Sequence, residues 1–424
     1  MSNYKKPYDP VDSTLLICYL LLVGIGVLTI FATEFNGVMQ TTTFSFKYSY
    51  TKQLLWAGVS LLMLFSILGF DRRAIQFFSY PIYAIIMVLL LSVLFIGEST
   101  KGDQNWINLG FFKLQPSEFA KFATAMALAA YYDSFQTKFK NIKEQAMPFI
   151  IIGIPLLLVL LQGDAGSAIV FLSFIFVLNR QGLPDEIIYL GLYIIIVSIL
   201  ALVIDKYIIM AIVLFIFGVL IYINSKQKNL VKLFGVLMIG TILYTSAVSI
   251  IFNNVLQKHQ RDRINIILGK ELSKEAKRGI AFNLNQSKIA IGSGGFIGKG
   301  YLNGTQTRYN YVPETSTDFI FTAIAEEWGF IGSVFLIILY VVMLTKLIQM
   351  AERQNSNYGR VYIYSVASII FTHVTINLGM TIGLIPVIGI PLPFISYGGS
   401  SLISFSFLIA TALKLDSERR AIMR

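Results

Sequence analysis

Apolar runs about one membrane thickness long, divided by brief polar breaks, set the pattern of this chain. They fall at 13–33, 52–70, 78–97, 117–132, 146–161, 165–180, 186–204, 207–223, 231–252, 318–347, 361–384 and 398–414. About twenty residues at 1.5 Å rise cross the roughly 30 Å hydrocarbon layer. Backbone exposed to lipid must satisfy its own N–H and C=O groups, so these runs predict helices. The expectation is an all-α polytopic membrane protein of about 12 transmembrane helices, forming one integral membrane domain over 1–424. No small-residue cleavage signature follows the first run, which is therefore read as a retained span. Residues 257–317 are the one long polar interval. They are expected to form a large extramembrane loop with short helices lying in the membrane plane.

Composition sharpens this picture. Hydrophobic types make up 55% of the chain and charged types only 13%, about half the charged share of a soluble domain. A soluble enzyme, a disordered chain and a disulfide scaffold are excluded; the single cysteine, Cys18, has no partner for an internal disulfide. The net charge of +11 fits cytoplasmic loops and anionic lipid better than nucleic acid. If the N-terminus lies in the cytoplasm, Lys5, Lys6, Arg72, Arg73, Lys138, Lys140, Arg180, Lys226, Lys228, Arg353, Arg360, Lys414 and Arg424 all fall inside. The short outside segments hold only Lys47, Lys52, Lys101, Lys113 and Lys206. That bias puts both termini inside. It also puts 257–317 outside, where ten Lys and Arg face four acids. Long loops translocate largely regardless of charge, and a cationic outer surface suits an anionic substrate. The loop carries Gly292-Ser-Gly-Gly-Phe-Ile-Gly-Lys-Gly300. Its spacing is not that of a nucleotide phosphate loop; it reads as tightly turned backbone.

Polar residues inside or beside apolar runs are costly and point to function. Asn105-Trp106-Ile-Asn-Leu-Gly110 leads into Gln115-Pro-Ser-Glu118 and Lys121. Pro116 and Ser117 suit a helix start, and Glu118 and Lys121, three apart, share a helix face and can pair. Gln162-Gly-Asp164-Ala-Gly-Ser167 is a short break in which Asp164 fits either a cap or a site. Pro313-Glu314-Thr-Ser-Thr-Asp318 enters an apolar run that also holds Glu326 and Glu327, which read as structural partners. Pro386 to Ser401 holds three prolines and three glycines, so it cannot be a regular helix. At membrane depth such backbone must be buried in protein or line a cavity; a re-entrant segment near 386–401 is expected.

These motifs together resemble the SEDS family (shape, elongation, division and sporulation proteins). The resemblance covers 1–180 and 257–414. It rests on Gln115-Pro-Ser-Glu118, Gln286-Ser-Lys-Ile-Ala-Ile-Gly-Ser-Gly-Gly295 with Gly298-Lys-Gly300, Thr317-Asp-Phe-Ile-Phe321, and Pro391-Leu-Pro-Phe-Ile-Ser-Tyr-Gly-Gly-Ser-Ser401. Gly304-Thr-Gln306, Asn377-Leu-Gly-Met380 and Gly389-Ile-Pro-Leu-Pro393 resemble the rod-shape branch more than the division branch. The resemblance implies a peptidoglycan glycosyltransferase that polymerises lipid II at the outer face of the bacterial cytoplasmic membrane. It implies a class B penicillin-binding protein as partner, beside other membrane proteins of the elongation complex. By the family's motifs, the essential aspartate is Asp318, the loop tryptophan is Trp106, and the charged pair is Glu118 with Lys121. The Gln-Pro-Asp-Leu-Gly segment falls on Gln162 to Gly166, and the Gln-Arg-x-Arg segment on Gln260 to Arg263. Asn105 stands where the family often has arginine, and Gly163 where it has proline. The family has ten spans, with one in the interval 186–252; three apolar runs here imply an extra transmembrane hairpin.

In the expected reaction, an acceptor hydroxyl displaces a lipid pyrophosphate, and Asp318 is the candidate base. Arg261, Arg263, Lys288 and Lys299 are the candidate cations for the leaving group. Asp164, Glu314 and Ser396 complete the expected substrate-binding set. A divalent cation, Mg or Mn, is compatible with a pyrophosphate, but no ligand cluster specifies one, and the two histidines, His259 and His373, are far apart. Two other functions fit part of the pattern. A flippase for lipid-linked precursors would use many spans and broken helices, although no internal repeat is evident. A non-catalytic scaffold of the elongation complex would leave Asp318 and Glu118 without a role.

Overall fold

The structure is a computed structural model and describes residues 10–35, 45–100, 103–108, 110, 112–135, 142–256, 258–270, 272–309 and 311–419. Lys5, Lys6, Lys101, Lys138, Lys140 and Arg424, used above for orientation, lie outside the described residues, as does Leu109. The chain divides into two compact units, Met1–Gly182 with Asn283–Arg424, and Leu183–Phe282.

The first unit opens with α1 (Ser13–Glu34), α2 (Ser49–Gly69), the short α3 (Arg72–Phe77) and α4 (Ser79–Ile96). A small antiparallel sheet follows: β1 (Glu98–Thr100), β2 (Asp103–Asn108) and β3 (Lys113–Leu114). Then come α5 (Pro116–Phe135), α6 (Ile142–Leu161), α7 (Ala165–Phe171) and α8 (Phe174–Arg180). The second unit holds α9 (Asp185–Val203), α10 (Lys206–Ile223), α11 (Lys228–Ile250), a π-turn (Ile251–Val255), α12 (Lys258–Leu268) and α13 (Lys274–Arg278). α14 (Ile280–Gly294) starts at the boundary and leads back into the first unit. That unit ends with α15 (Thr305–Arg308), α16 (Ile320–Glu352), α17 (Asn357–Ile382) and α18 (Gly399–Ser417).

Among the described residues, nine helices are long and apolar enough to cross a membrane. The run 117–132 is α5, whose charged residues lower its hydropathy, and 146–161 lies in α6. The run 165–180 differs from the expected single helix, because Leu172 and Ser173 separate α7 from α8. The sheet was not expected. Its strands are two to six residues long and polar, too short for alternation to show.

α17 and α18 are the most buried of the spanning helices and form the centre of the first unit. Ser356 caps α17 by accepting from the Gly359 N–H at 3.1 Å, and the helix ends at Gly383 in the left-handed region. Asp12 caps α1 and also binds Arg353, just past the end of α16, at 3.1 Å. Arg353 in turn pairs with Asp416 near the end of α18. The start of α1 and the ends of α16 and α18 therefore share one side of the unit. Asp318, before the start of the 33-residue α16, sits at the opposite end of that helix.

The second unit is built from three long apolar helices. α9 is tied to α11 by Tyr193 to Thr241 at 2.5 Å and Ser198 to Tyr244 at 2.7 Å. Asp205 caps α10 by accepting from the Tyr207 N–H at 2.9 Å. Most large side chains on α9 and α10 point outward, as expected of helices whose solvent is lipid.

Candidate active site

The sequence Gln115-Pro-Ser-Glu begins α5 as expected, with Pro116 in the first turn, where no N–H is needed. One turn in, Lys121 is wholly buried and Glu118 nearly so. Lys121 Nζ donates to Glu118 Oε1 at 2.8 Å. It also lies 2.8 Å from His373 Nε2 on α17, and 5.3 Å from the centre of the Phe405 ring on α18. The second carboxylate oxygen, Glu118 Oε2, receives no hydrogen bond among the described residues. Ser404 of α18 donates to the Glu118 backbone carbonyl at 2.7 Å. Three helices thus converge on one buried ion pair.

Asp318 is half-exposed and follows a tight turn. Glu314, at φ +62°, accepts at its carbonyl from the Thr317 and Phe319 N–H groups at 3.1 and 3.2 Å. The turn faces the expected re-entrant segment, which is non-helical from Gly383 until α18 begins. Asn377 of α17 donates both to the Asp318 carbonyl, at 2.9 Å, and to the Ile390 carbonyl, at 2.7 Å. Ser396 Oγ donates to the Thr317 carbonyl at 2.6 Å and accepts from the Leu392 N–H at 2.8 Å. The Tyr397 N–H donates to the Ser316 carbonyl at 2.8 Å. Gly389 has φ +70°, and a Cβ there would stand 3.3 Å from Asp318 Oδ2, so the carboxylate rests against bare backbone. Ser396, expected to bind substrate, is buried, and its hydroxyl bonds backbone on two sides.

Trp106 sits half-buried in β2, opposite Glu98 in β1. The sheet is fixed by the Glu98–Lys113 ion pair at 2.7 Å and by Asn108 donating to Glu98 at 2.9 Å. Lys113 and then Asn108 hold the Glu98 carboxyl below the usual carboxylate range. Asp164 organises the ground beside it. Its Oδ1 accepts from the Ser167 N–H at 2.8 Å, capping α7. Its Oδ2 accepts from Ser167 Oγ at 2.7 Å, Asn105 at 3.0 Å and Gln115 at 3.3 Å. Of the two readings open for Asp164, the cap describes these bonds, and the residue also joins β2 to the start of α5.

The basic loop holds short helices and tight glycine turns, as expected. Gly298 and Gly329 lie back to back: a Cβ on Gly298 would strike the Glu327 carbonyl, and one on Gly329 the Gly298 nitrogen. Gly329 breaks α16 at φ +63°, ψ −157°, a conformation essentially confined to glycine. Glu326 is fully buried and accepts from Lys299 Nζ at 2.6 Å, the Gln306 N–H at 2.8 Å, the Thr307 N–H at 3.0 Å and Thr307 Oγ1 at 2.9 Å. Lys299, expected as a phosphate cation, is thus committed to Glu326. Lys288 is exposed on α14, with its ammonium against Gly383. Arg261 and Arg263 belong to the second unit, where Arg261 donates to the Asn253 carbonyl at 3.0 Å. No group of three His, Cys, Asp or Glu gathers among the described residues, so no divalent-cation ligands are assigned.

Two tests follow from this geometry. Gly329→Ala is expected to cost more than about 3 kcal/mol, because backbone strain and the Gly298 contact act together; unfolding in detergent measures it. Glu326→Ala strips acceptors from two N–H groups and one ammonium, and is expected to cost about 2–3 kcal/mol, charged hydrogen bonds being the strong ones. Faster proteolysis within 299–307 reports that change.

Sequence reasoning missed His373 and Asn377. Both are polar residues in an apolar run, one helical turn apart, and that rule alone would have found them.

A helical membrane protein with a buried ion pair, and an aspartate held at the mouth of a spanning helix by a broken-helix segment, is the class this fold and site define. The sequence profile of the FtsW, RodA and SpoVE cell cycle proteins matches residues 12–209 and 179–421, and the chain belongs to that family. It is 30% identical to the peptidoglycan glycosyltransferase RodA of Treponema pallidum, over 96% of this chain and 98% of that protein. It is 29% identical to the peptidoglycan glycosyltransferase MrdB of Escherichia coli K12, over 100% and 98% of the two chains. A solved structure described as a peptidoglycan synthase complex that coordinates polymerisation and crosslinking superposes with a TM-score of 0.69, at 25% identity over 96% of this chain and 98% of that one.

Proposed function

We propose that this chain is a peptidoglycan glycosyltransferase that polymerises lipid II at the outer face of the bacterial cytoplasmic membrane, both termini lying in the cytoplasm. The observation that carries the reading is Asp318. It is a half-exposed carboxylate at the mouth of α16, on the opposite end from the Asp12–Arg353–Asp416 cluster. Its backbone is pinned by Asn377, which also holds the broken-helix segment. A carboxylate fixed in this way can take the proton of an acceptor sugar hydroxyl as that oxygen attacks the anomeric carbon. The leaving undecaprenyl pyrophosphate is anionic, and Lys288, exposed on α14, is the cation assigned to it. It and Asp318 lie against two glycines of the same connection, Gly383 and Gly389. Trp106 is the face for a sugar ring or lipid tail in this reading. The partner is a class B penicillin-binding protein, as suits a chain whose structural relative belongs to a synthase complex.

Lys288→Ala tests the leaving-group role. Loss of one phosphate contact is expected to lower kcat/KM for lipid II by about 10-fold, as for a charged hydrogen bond of about 1.5 kcal/mol, without change in thermal stability. Unchanged kinetics would remove Lys288 from the site.

A further inference from the structure

His373 bridges two parts of the site that nothing in the sequence connects. Its Nδ1 lies 3.1 Å from the Pro391 carbonyl, and its Nε2 lies 2.8 Å from Lys121 Nζ. A carbonyl oxygen only accepts, so Nδ1 carries the proton. The Lys121 ammonium only donates, so Nε2 presents its lone pair. Both contacts are satisfied by a single species, the neutral ring protonated at Nδ1. The Phe405 ring meets the imidazole edge-on at 4.9 Å and fixes its plane.

Pro391 is the middle of three consecutive residues that side chains hold in place. Asn377 holds the Ile390 carbonyl and the Asp318 carbonyl. Ser396 holds the Leu392 N–H and the Thr317 carbonyl. His373 holds the Pro391 carbonyl and Lys121. The broken-helix segment is thus anchored to Asp318 on one side and to the buried Glu118–Lys121 pair on the other. The second anchor passes through His373, whose two ring nitrogens both take part.

We infer that His373 is a positioning residue for the glycosyl transfer, joining the Glu118–Lys121 pair to the segment that sets the place of Asp318. The inference rests on the glycosyltransferase reading above. It acts on the placement of Asp318 rather than on substrate affinity, so its loss is read in kcat. Misplacing a reacting group by about 1 Å costs about 10²-fold in rate.

The experiment compares wild type, His373→Leu and His373→Gln in purified full-length protein polymerising labelled lipid II. Leucine removes both contacts. Glutamine keeps one donor and one acceptor. The expected result is a fall in kcat of about 10²-fold for H373L, little change in KM, and substantial rescue by H373Q. Wild-type kcat in H373L, a change confined to KM, or an H373Q variant as poor as H373L would each overturn the inference. Failure of wild type to make polymer at all would overturn the activity itself, and the positioning role with it.

A second measurement needs no turnover and does not depend on H373L folding. The chain has two histidines, so 15N-histidine labelling of a His259→Gln variant leaves His373 as the only imidazole. At pH 7 its ring is expected to be neutral and protonated at Nδ1. Lys121→Met is expected to move the Nε2 resonance while Nδ1 stays protonated. An imidazolium, or a ring protonated at Nε2 alone, would overturn the bridge.

Discussion

Asp318→Asn is expected to abolish glycan polymerisation while leaving a protein that purifies and unfolds like wild type. The substitution keeps the size of the side chain, and the Asp318 carbonyl still accepts from Asn377. The neighbouring bonds, Ser396 to Thr317 and Tyr397 to Ser316, involve backbone atoms that the change does not touch. What disappears is the basic oxygen beside Gly389. A positioned general base contributes about 10²–10⁴-fold, so turnover should fall by at least about 10²-fold with the thermal midpoint nearly unchanged. A folded D318N protein that polymerises at the wild-type rate would remove Asp318 as the base.

Lys121→Met has the second large effect, and it is a different one. The wild-type ammonium neutralises a carboxylate that is 2% exposed. Removing it leaves Glu118 buried and unpaired, which costs about 3–5 kcal/mol. The variant should therefore be both inactive and markedly less stable. Glu118→Gln combined with Lys121→Met removes both charges, and should recover much of the stability without recovering activity. That non-additivity is the signature of a direct interaction. If the double variant is as unstable as the sum of the singles, the pair does not stabilise the fold in the way described.

The fold was legible where physics is local. Each of the twelve apolar runs became helix, because length and composition alone decide that in lipid. Pro116 and Ser117 started α5, and the Pro386–Ser401 stretch stayed non-helical until Gly399, both for reasons contained in a few neighbouring residues. What the sequence left hidden depends on distance along the chain. Lys121 and His373 are 252 residues apart, so the local Glu118–Lys121 spacing was readable and the bridge to α17 was not. Lys299 and Ser396 looked available in a basic loop and a broken helix. Glu326, 27 residues from Lys299, and Thr317, 79 from Ser396, had already engaged them. The break between α7 and α8 at Leu172–Ser173 has no proline or glycine to announce it. The three runs between 186 and 252 did form three helices, and we propose that two of them are the hairpin added to the family plan.

The most direct test of the central claim is glycan formation from labelled lipid II by the purified full-length protein, supplied with the class B penicillin-binding protein proposed as its partner, carrying a blocked transpeptidase site. The account expects long glycan strands from wild type and none from Asp318→Asn. Absence of polymer from wild type bound to a competent partner, or equal polymer from both chains, would contradict it.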